Sequence, residues 1–216
     1  MLPSAVIFDL DGTVIADEDE YGEAFGKVLK GLGVKVSSEY PHTGGIGVKE
    51  NWPLLLKKYK IKTEKSIEEL TKETQDAYLA TLSQVEVKPG FQDFVGELKK
   101  EGILTALATS NAWWMTETIL EKLDLEKFFD CITTGEEVAF KKPDPDIFLI
   151  TADKVGVERE DCVVIEDSRA GVQAAHKAGM KVIGVFRNKS HSEELKEADL
   201  LVEDFRHLSI RDIKSL

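Results

Sequence analysis

Short apolar runs alternate with amphipathic segments along most of this chain, and that alternation narrows the possible folds more than any other feature. Residues 5–8, 103–108, 131–133, 163–165, 182–185 and 200–202 read as buried strands, each too short and too β-rich for a helix. Between them Phe91, Phe94, Val95 and Leu98 recur at helical spacing, and Gly102 follows them. Met115, Ile119, Leu120 and Leu123 repeat the pattern, as do residues 144–155 before Gly156 and 170–178 before Gly179. Strand and helix in turn predict an α/β fold: a doubly wound parallel sheet with helices on both faces.

One segment breaks the rhythm. From Asp17 to Gln84 the apolar residues keep helical spacing and no strand is evident. Tyr21, Phe25, Val28, Leu29 and Leu32 form one stripe, and Trp52, Leu55, Leu56 and Tyr59 a second, with Pro53 near its start. Ser66-Ile67-Glu68-Glu69 has the form of a capping box and opens a third helix. The expected organisation is an α/β core of residues 1–16 and 86–216 with a small α-helical insert at 17–85. The chain would cross between them near 14–16 and 85–90, where Pro89-Gly90 marks the return.

A chain of 216 residues with 42% hydrophobic composition can bury a substantial core. No window approaches the ~20 apolar residues that span a bilayer, so no membrane role and a cytoplasmic location are expected. Cys131 and Cys162 adjoin strand-like runs without metal-ligand spacing and read as reduced and buried. A net charge of −12, with no basic stripe, argues against nucleic acid as a partner. A small anionic substrate is compatible with that charge if a local cation gathers it.

In open α/β sheets ligands collect at the carboxyl ends of the strands. The first strand delivers Asp9 and Asp11, two residues apart and therefore projecting to one side. Paired carboxylates repel unless a proton or cation intervenes, although Asp-x-Asp-Gly alone is equally a turn. The second strand ends in Thr109-Ser110-Asn111 ahead of a helix, either a phosphate-sized nest of donors or an ordinary N-cap. Lys142 precedes a proline, which holds its backbone extended. A further strand runs into Glu166-Asp167-Ser168. Four carboxylates, a lysine and a donor nest at four strand ends form a coherent site, and its oxygen ligands suit Mg²⁺.

These motifs, together with Asp9-Leu10-Asp11-Gly12-Thr13, Lys142-Pro143-Asp144-Pro145-Asp146-Ile147-Phe148 and Glu166-Asp167-Ser168-Arg169-Ala170-Gly171-Val172, resemble those of the haloacid dehalogenase superfamily, in the branch with a helical cap. They stand in family order from Val6 to about Val185. The resemblance implies a Rossmann-like core, with Asp9 as nucleophile and Asp11 as general acid and base. It implies that Thr109, Ser110 and Asn111 hold the transferring phosphoryl group and that Lys142 bridges the nucleophile and phosphate charges. Asp9, the Asp11 carbonyl and Asp167 would bind Mg²⁺, with Glu166 supporting that shell. The cap loop from His42 to Lys49 is the candidate substrate contact, with Lys49 meeting a second anionic group and His42 serving the loop itself. His176, His191 and His207 read as surface or satisfied residues. At least one ring of Trp113-Trp114 is expected to pack between core and cap.

Departures from the family pattern bear on the reaction. Family members commonly carry Asp then Ser or Thr after the first motif, whereas here Glu18 follows Asp17. Relatives of β-phosphoglucomutase usually place a histidine early in the cap, and Glu20-Tyr21-Gly22-Glu23 has none. They also use a cap arginine for the distal phosphate. The resulting expectation is a Mg²⁺-dependent phosphatase of small phosphorylated metabolites, such as phosphoglycolate or a sugar phosphate, working as a monomer or weak homodimer. A phosphosugar mutase is the rival within enzymes, and a non-catalytic phospho-ligand-binding protein the rival outside them.

Overall fold

The computed structural model describes residues 2–36, 38 and 40–216. The strands are β1 (Ala5–Phe8), β2 (Ile15–Ala16), β3 (Glu86–Val87), β4 (Leu104–Ala108), β5 (Cys131–Thr133), β6 (Cys162–Glu166), β7 (Lys181–Val185) and β8 (Leu200–Val202). The helices are α1 (Glu18–Gly31), α2 (Val48–Tyr59), α3 (Ile67–Leu79), α4 (Phe91–Lys100), α5 (Trp113–Leu123), α6 (Asp146–Val155), α7 (Arg169–Ala178), α8 (Lys189–Glu194) and α9 (Ile210–Lys214).

Among the described residues six parallel strands form one sheet in the order β5-β4-β1-β6-β7-β8. The chain starts at the centre, builds outward through β4 and β5, then returns to the other side of β1. This reversal makes β1 the switch point, where a crevice opens beyond the carboxyl ends. The α/β class and the central strands are as the alternation predicts.

Side chains alternate across β1. Val6 and Phe8 join one apolar layer, while Ala5 and Ile7 join the other with Ile147, Phe148, Val172 and Ala175 of α6 and α7. Phe8 meets Phe91, Phe94 and Phe129 edge-on at ring-centroid distances of 5.5, 6.5 and 6.1 Å. Each such pair adds ~0.5–1.5 kcal/mol beyond area burial, which anchors the end of β1 just before the aspartates.

Helices α1, α2 and α3 pack on one another between β2 and β3. Trp52 is fully buried among them, and its indole N–H donates to Thr74 Oγ1 at 3.1 Å. The capping box opens α3 as expected, with Glu69 N–H donating to Ser66 Oγ and Ser66 N–H to Glu69 Oε2. The two crossings pair as a short antiparallel ribbon, Ile15 with Val87 and Ala16 with Glu86. Two-residue strands carry no readable alternation, so only the crossings, not the ribbon, were expected from the sequence. The apolar side chains of the insert run continuously into one face of the sheet.

Three expectations need correction. Trp113 and Trp114 are 46% and 44% exposed, so neither ring is buried between core and insert. The buried face of α5 is Met115, Thr116, Ile119 and Leu120, and the tryptophans precede it at the open first turn. Helix α6 begins at Asp146 rather than 144, because a proline disfavours helical backbone at the residue before it and Pro145 follows Asp144. Cys131 is only half-buried; Cys162 is buried, and both are free thiols. Among the described residues no helix is long and apolar enough to cross a membrane.

Candidate active site

Lys142 comes to the switch point from the loop before α6 and is sealed from solvent. Its Nζ lies 2.6 Å from Asp9 Oδ1 and 2.8 Å from Glu166 Oε1, and it also donates to Ala108 O at 3.3 Å. The ammonium stands 5.0 Å from the centre of the Phe148 ring. Burial works against its charge, but the Asp9 and Glu166 carboxylates outweigh burial and hold its pKa above the ordinary lysine range. Lys142 is therefore a fixed cation joining the ends of β1 and β6.

Glu166 faces Lys142 with one oxygen and accepts the Ser168 N–H at 2.5 Å with the other. The space for this carboxylate is made by Gly171, where a Cβ would fall 1.8 Å from Glu166 Oε1. Asp167, the next residue, points to the opposite side of the strand end and lines the cavity with Asp9 and Asp11. A Cβ on Gly12 would fall 2.1 Å from Asp167 Oδ2, so that glycine, at φ +74°, lets the Asp9–Thr13 turn lie against Asp167.

Asp11 is held from above. Its Oδ2 accepts from Asn111 Nδ2 at 2.8 Å, and Asn111 Oδ1 accepts from the Tyr21 hydroxyl at 3.2 Å. Its Oδ1 is buried and has no hydrogen-bond partner. Asp17, wholly buried at the head of α1, accepts the Gly12 N–H at 2.9 Å and the Tyr78 hydroxyl at 2.7 Å. Tyr21 and Tyr78 stack at 4.1 Å, so two insert helices grip the Asp9–Thr13 turn through a pair of phenols.

Burial raises the pKa of Asp9 well above the usual carboxylate range, with Lys142 opposing and Glu166 and Asp11 adding to the rise. Burial also raises Asp167 well above that range, with Glu166 next. Asp11 is raised by burial against its hydrogen bonds, and Asp17 by burial and by Asp11. Such a cluster is costly unless protons or a cation share it.

The residues expected to hold phosphate lie at or just below the cavity wall. Ser110 and Asn111 line the cavity, and Thr109 lies beneath them, fully buried, its hydroxyl accepting the Asn111 N–H at 3.2 Å. Ser110 Oγ donates to Gly45 O at 2.7 Å, tying the loop to the insert. Gly45, at φ +79°, sits so close that a Cβ would meet Ser168 Oγ at 2.2 Å. Asn51 of α2 braces the same insert loop: its Oδ1 accepts the Thr43 N–H at 2.7 Å, and its Nδ2 donates to Thr43 O and Gly47 O at 2.9 and 2.8 Å.

Lys49 is not brought to the site. It is exposed and pairs with Glu68 at 3.1 Å. Val48 and Asn51 take the inward face of α2, and Lys49, a helical step of about 100° from Val48, is turned outward. His42, by contrast, lines the cavity, stacked on Phe25 with ring centroids 4.9 Å apart. His191 is buried and takes the Arg187 N–H at its Nδ1, while His176 and His207 pair at the surface with Asp199 and Asp204. Tyr21, Asn51 and Asp17 are site residues that periodicity could not single out. The first two read as positions on a helix, and Asp17 as a motif remnant.

The fit to a divalent cation rests on Asp9 and Asp167, both desolvated and facing one cavity. Among the described residues no three His, Cys, Asp or Glu side chains group so as to hold a metal by themselves. Mg²⁺ keeps several waters and accepts one or two carboxylates plus phosphate oxygens, so two side chains and a backbone carbonyl suit it. Glu166, occupied by Lys142 and the Ser168 N–H, fits a supporting place better than a ligand's.

Comparison with known proteins agrees with this geometry. Residues 6–185 match the family described as haloacid dehalogenase-like hydrolase. The chain is 35% identical over 198 residues, 90% of each protein, to a phosphorylated carbohydrates phosphatase of Thermotoga maritima. The crystal structure of β-phosphoglucomutase from Clostridium difficile superposes with a TM-score of 0.88 at 26% identity, covering 100% of this chain and 96% of that one. CbbY from Rhodobacter sphaeroides in complex with phosphate gives 0.84 at 29% identity, over 96% and 97% of the two chains. With the matched span running from the first aspartate strand through the Glu166-Asp167 strand, the chain belongs to the haloacid dehalogenase-like hydrolase family.

Proposed function

We propose that this protein is a Mg²⁺-dependent phosphatase of small phosphorylated metabolites that works through an aspartyl-phosphate on Asp9, with residues 17–85 as a cap over the site. As a haloacid dehalogenase-like hydrolase it is an enzyme of the phosphoric monoester hydrolase type. The observation that carries the mechanism is the buried Lys142 bridging Asp9 and Glu166. It opposes the rise that burial gives the Asp9 pKa and leaves a cation beside the oxygens of an arriving phosphate.

In the first step an Asp9 oxygen attacks phosphorus and the ester P–O bond breaks. Asp11 gives its proton to the departing alkoxide, a transfer favoured by its raised pKa. The Ser110 N–H and the Thr109 hydroxyl would steady the phosphoryl oxygens. Water then attacks the phosphorus, Asp11 takes its proton, and inorganic phosphate leaves Asp9 free. Asp9, Asp167 and the Asp11 carbonyl would hold Mg²⁺, which would supply positive charge to offset the approach of two anions. The insert loop and Tyr21 exclude bulk water during the first step.

Hydrolysis is favoured over a phosphosugar mutase by the make-up of the cavity. None of the described residues lining it is lysine or arginine. A bisphosphate intermediate needs a cation for its second phosphate, and Lys49 is committed elsewhere. The test is phosphate release from a panel of metabolites, with and without Mg²⁺, beside Asp9→Asn. Release that needs Mg²⁺ and disappears in the variant is expected; equal release by both proteins rules out Asp9 as nucleophile.

A further inference from the structure

We propose that His42 hydrogen-bonds a hydroxyl group of an uncharged leaving group, so that polyol and sugar monophosphates are the substrate class and esters bearing a leaving-group carboxylate are rejected. The inference rests on the phosphatase reading above and specifies its substrate. His42 lines the cavity, and its Nδ1 is buried without a hydrogen-bond partner. Buried polar atoms are almost always paired, so an orphan on a residue of the cavity wall points to a missing partner.

The ring is held rather than loose. It stacks on Phe25 at an interplanar angle of 16° and lies 6.2 Å from the Tyr21 ring. Burial and the nearby Arg187 lower its pKa to about 4, so the imidazole is neutral near pH 7. A neutral imidazole offers one donor and one acceptor. A hydroxyl answers either nitrogen, whereas a carboxylate answers only the protonated one and brings a charge.

The surrounding wall decides against that charge. Asp9, Asp11, Asp17, Glu18 and Asp167 border the cavity, and no described lining residue is lysine or arginine. Neighbouring polar side chains are already engaged: Asn51 by the insert loop, Tyr21 by Asn111 and Ser110 by Gly45. Asp11 Oδ1 and Glu18 Oε1 are further orphans among the lining residues; Glu18 lies 3.6 Å from Arg187 and 3.9 Å from Lys88, which leaves Asp11 and His42 as the pair with no ion-pair partner among the described residues. The pair suits an ester whose bridging oxygen meets Asp11 and whose neighbouring hydroxyl meets His42. A site built to bond a hydroxyl discriminates strongly against analogues lacking it.

The experiment compares kcat/KM for sorbitol 6-phosphate and n-hexyl phosphate, matched in chain length but not in hydroxyls, and for glycerol 3-phosphate and phosphoglycolate. Wild type, His42→Phe and His42→Gln are measured, with thermal melting as a folding control. Wild type is expected to prefer each hydroxylated ester by about tenfold or more. His42→Phe should bring the sorbitol-to-hexyl ratio close to one, and His42→Gln should restore part of it. Should the Phe variant fail to fold, the Gln variant with an intermediate ratio carries the test. An unchanged ratio in the variants, an equal loss on both esters, or a wild-type preference for phosphoglycolate overturns the role of His42. Phosphate release from hexyl phosphate alone overturns the hydroxyl assignment and leaves the phosphatase standing. No release from any ester, including acetyl phosphate, brings down the phosphatase reading and this inference with it.

Discussion

The ammonium of Lys142 and the carboxylate of Asp9 lie 2.6 Å apart, with side-chain exposures of 0% and 6%, although 132 residues separate them in the chain. Breaking one side of a buried ion pair costs ~3–5 kcal/mol because it strands the other charge. Lys142→Met should therefore lower urea-unfolding stability by about that amount. Its kcat should fall by a factor on the order of 10²–10³ or more, as when a preorganised charge is removed from a transition state. Full activity in a correctly folded variant would show that Asp9 needs no fixed cation.

Asp11→Asn separates leaving groups. An alkyl phosphate needs a proton on its departing oxygen, and the variant should lose ~10²–10⁴-fold in rate. With p-nitrophenyl phosphate, whose leaving group needs little protonation, the first step should survive and phosphorylated enzyme should accumulate in rapid-quench samples. Burial places the wild-type pKa of Asp11 above the ordinary carboxylate value, and the reactive form is protonated. Activity on alkyl esters should therefore fall as pH rises through that raised pKa, and the variant should lose this limb of the profile.

Asn51→Leu preserves size but removes three hydrogen bonds to the insert loop. The Thr43 N–H and the Thr43 and Gly47 carbonyls lose a partner each, at a cost of ~1–3 kcal/mol. A rise in KM with a smaller change in kcat is expected, measured by steady-state kinetics with the phosphate ester that wild type prefers.

Two glycines should respond oppositely to alanine. Gly26 lies within α1, and a Cβ there meets nothing within 4 Å, so Gly26→Ala should stabilise by ~0.5–1 kcal/mol. Gly45 has φ +79° and sits against Ser168. Gly45→Ala should displace the loop from Ser110 and reduce kcat/KM. Thermal melting and phosphate-release assays distinguish the two outcomes.

His42 supplies a pH signature of stability. Its pKa falls from an ordinary 6.5 in the unfolded chain to about 4 when folded. Between those values the unfolded chain binds a proton that the folded protein excludes, so stability rises with pH there and is lost on acidification. The contribution is at most ~3 kcal/mol, and His42→Gln should flatten the wild-type slope between pH 6.5 and 4 in chemical denaturation.

Much of this site was readable from residue order. Asp9, Asp11, Glu166 and Asp167 stand at strand ends, where a buried apolar run announces the strand and period-two geometry announces the direction, while Lys142 was read from the proline that follows it in the loop before α6. The parallel sheet followed from the same runs. What could not be read is what depends on contact between distant surfaces. Lys49 and Asn51 are two residues apart on one helix, and only the packing of Trp52 shows which of them turns inward. Tyr21 looked like one more apolar position in the α1 stripe, because its ring is buried like its neighbours and only its hydroxyl reaches the site. Trp113 and Trp114 misled for the converse reason: large aromatic rings suggest burial, yet α5 had filled its inner face with Met115, Ile119 and Leu120.

Because β1 occupies the middle of the sheet, the reactive groups arrive from opposite directions of chain growth. Asp9 is made among the first residues, yet its partners come from positions 109–111, 142 and 166–167. A nascent or clipped chain that stops short of β6 carries Asp9 but has neither Glu166 nor Asp167 beside it. On the proposed mechanism, chains truncated before β6 should therefore release no phosphate from esters.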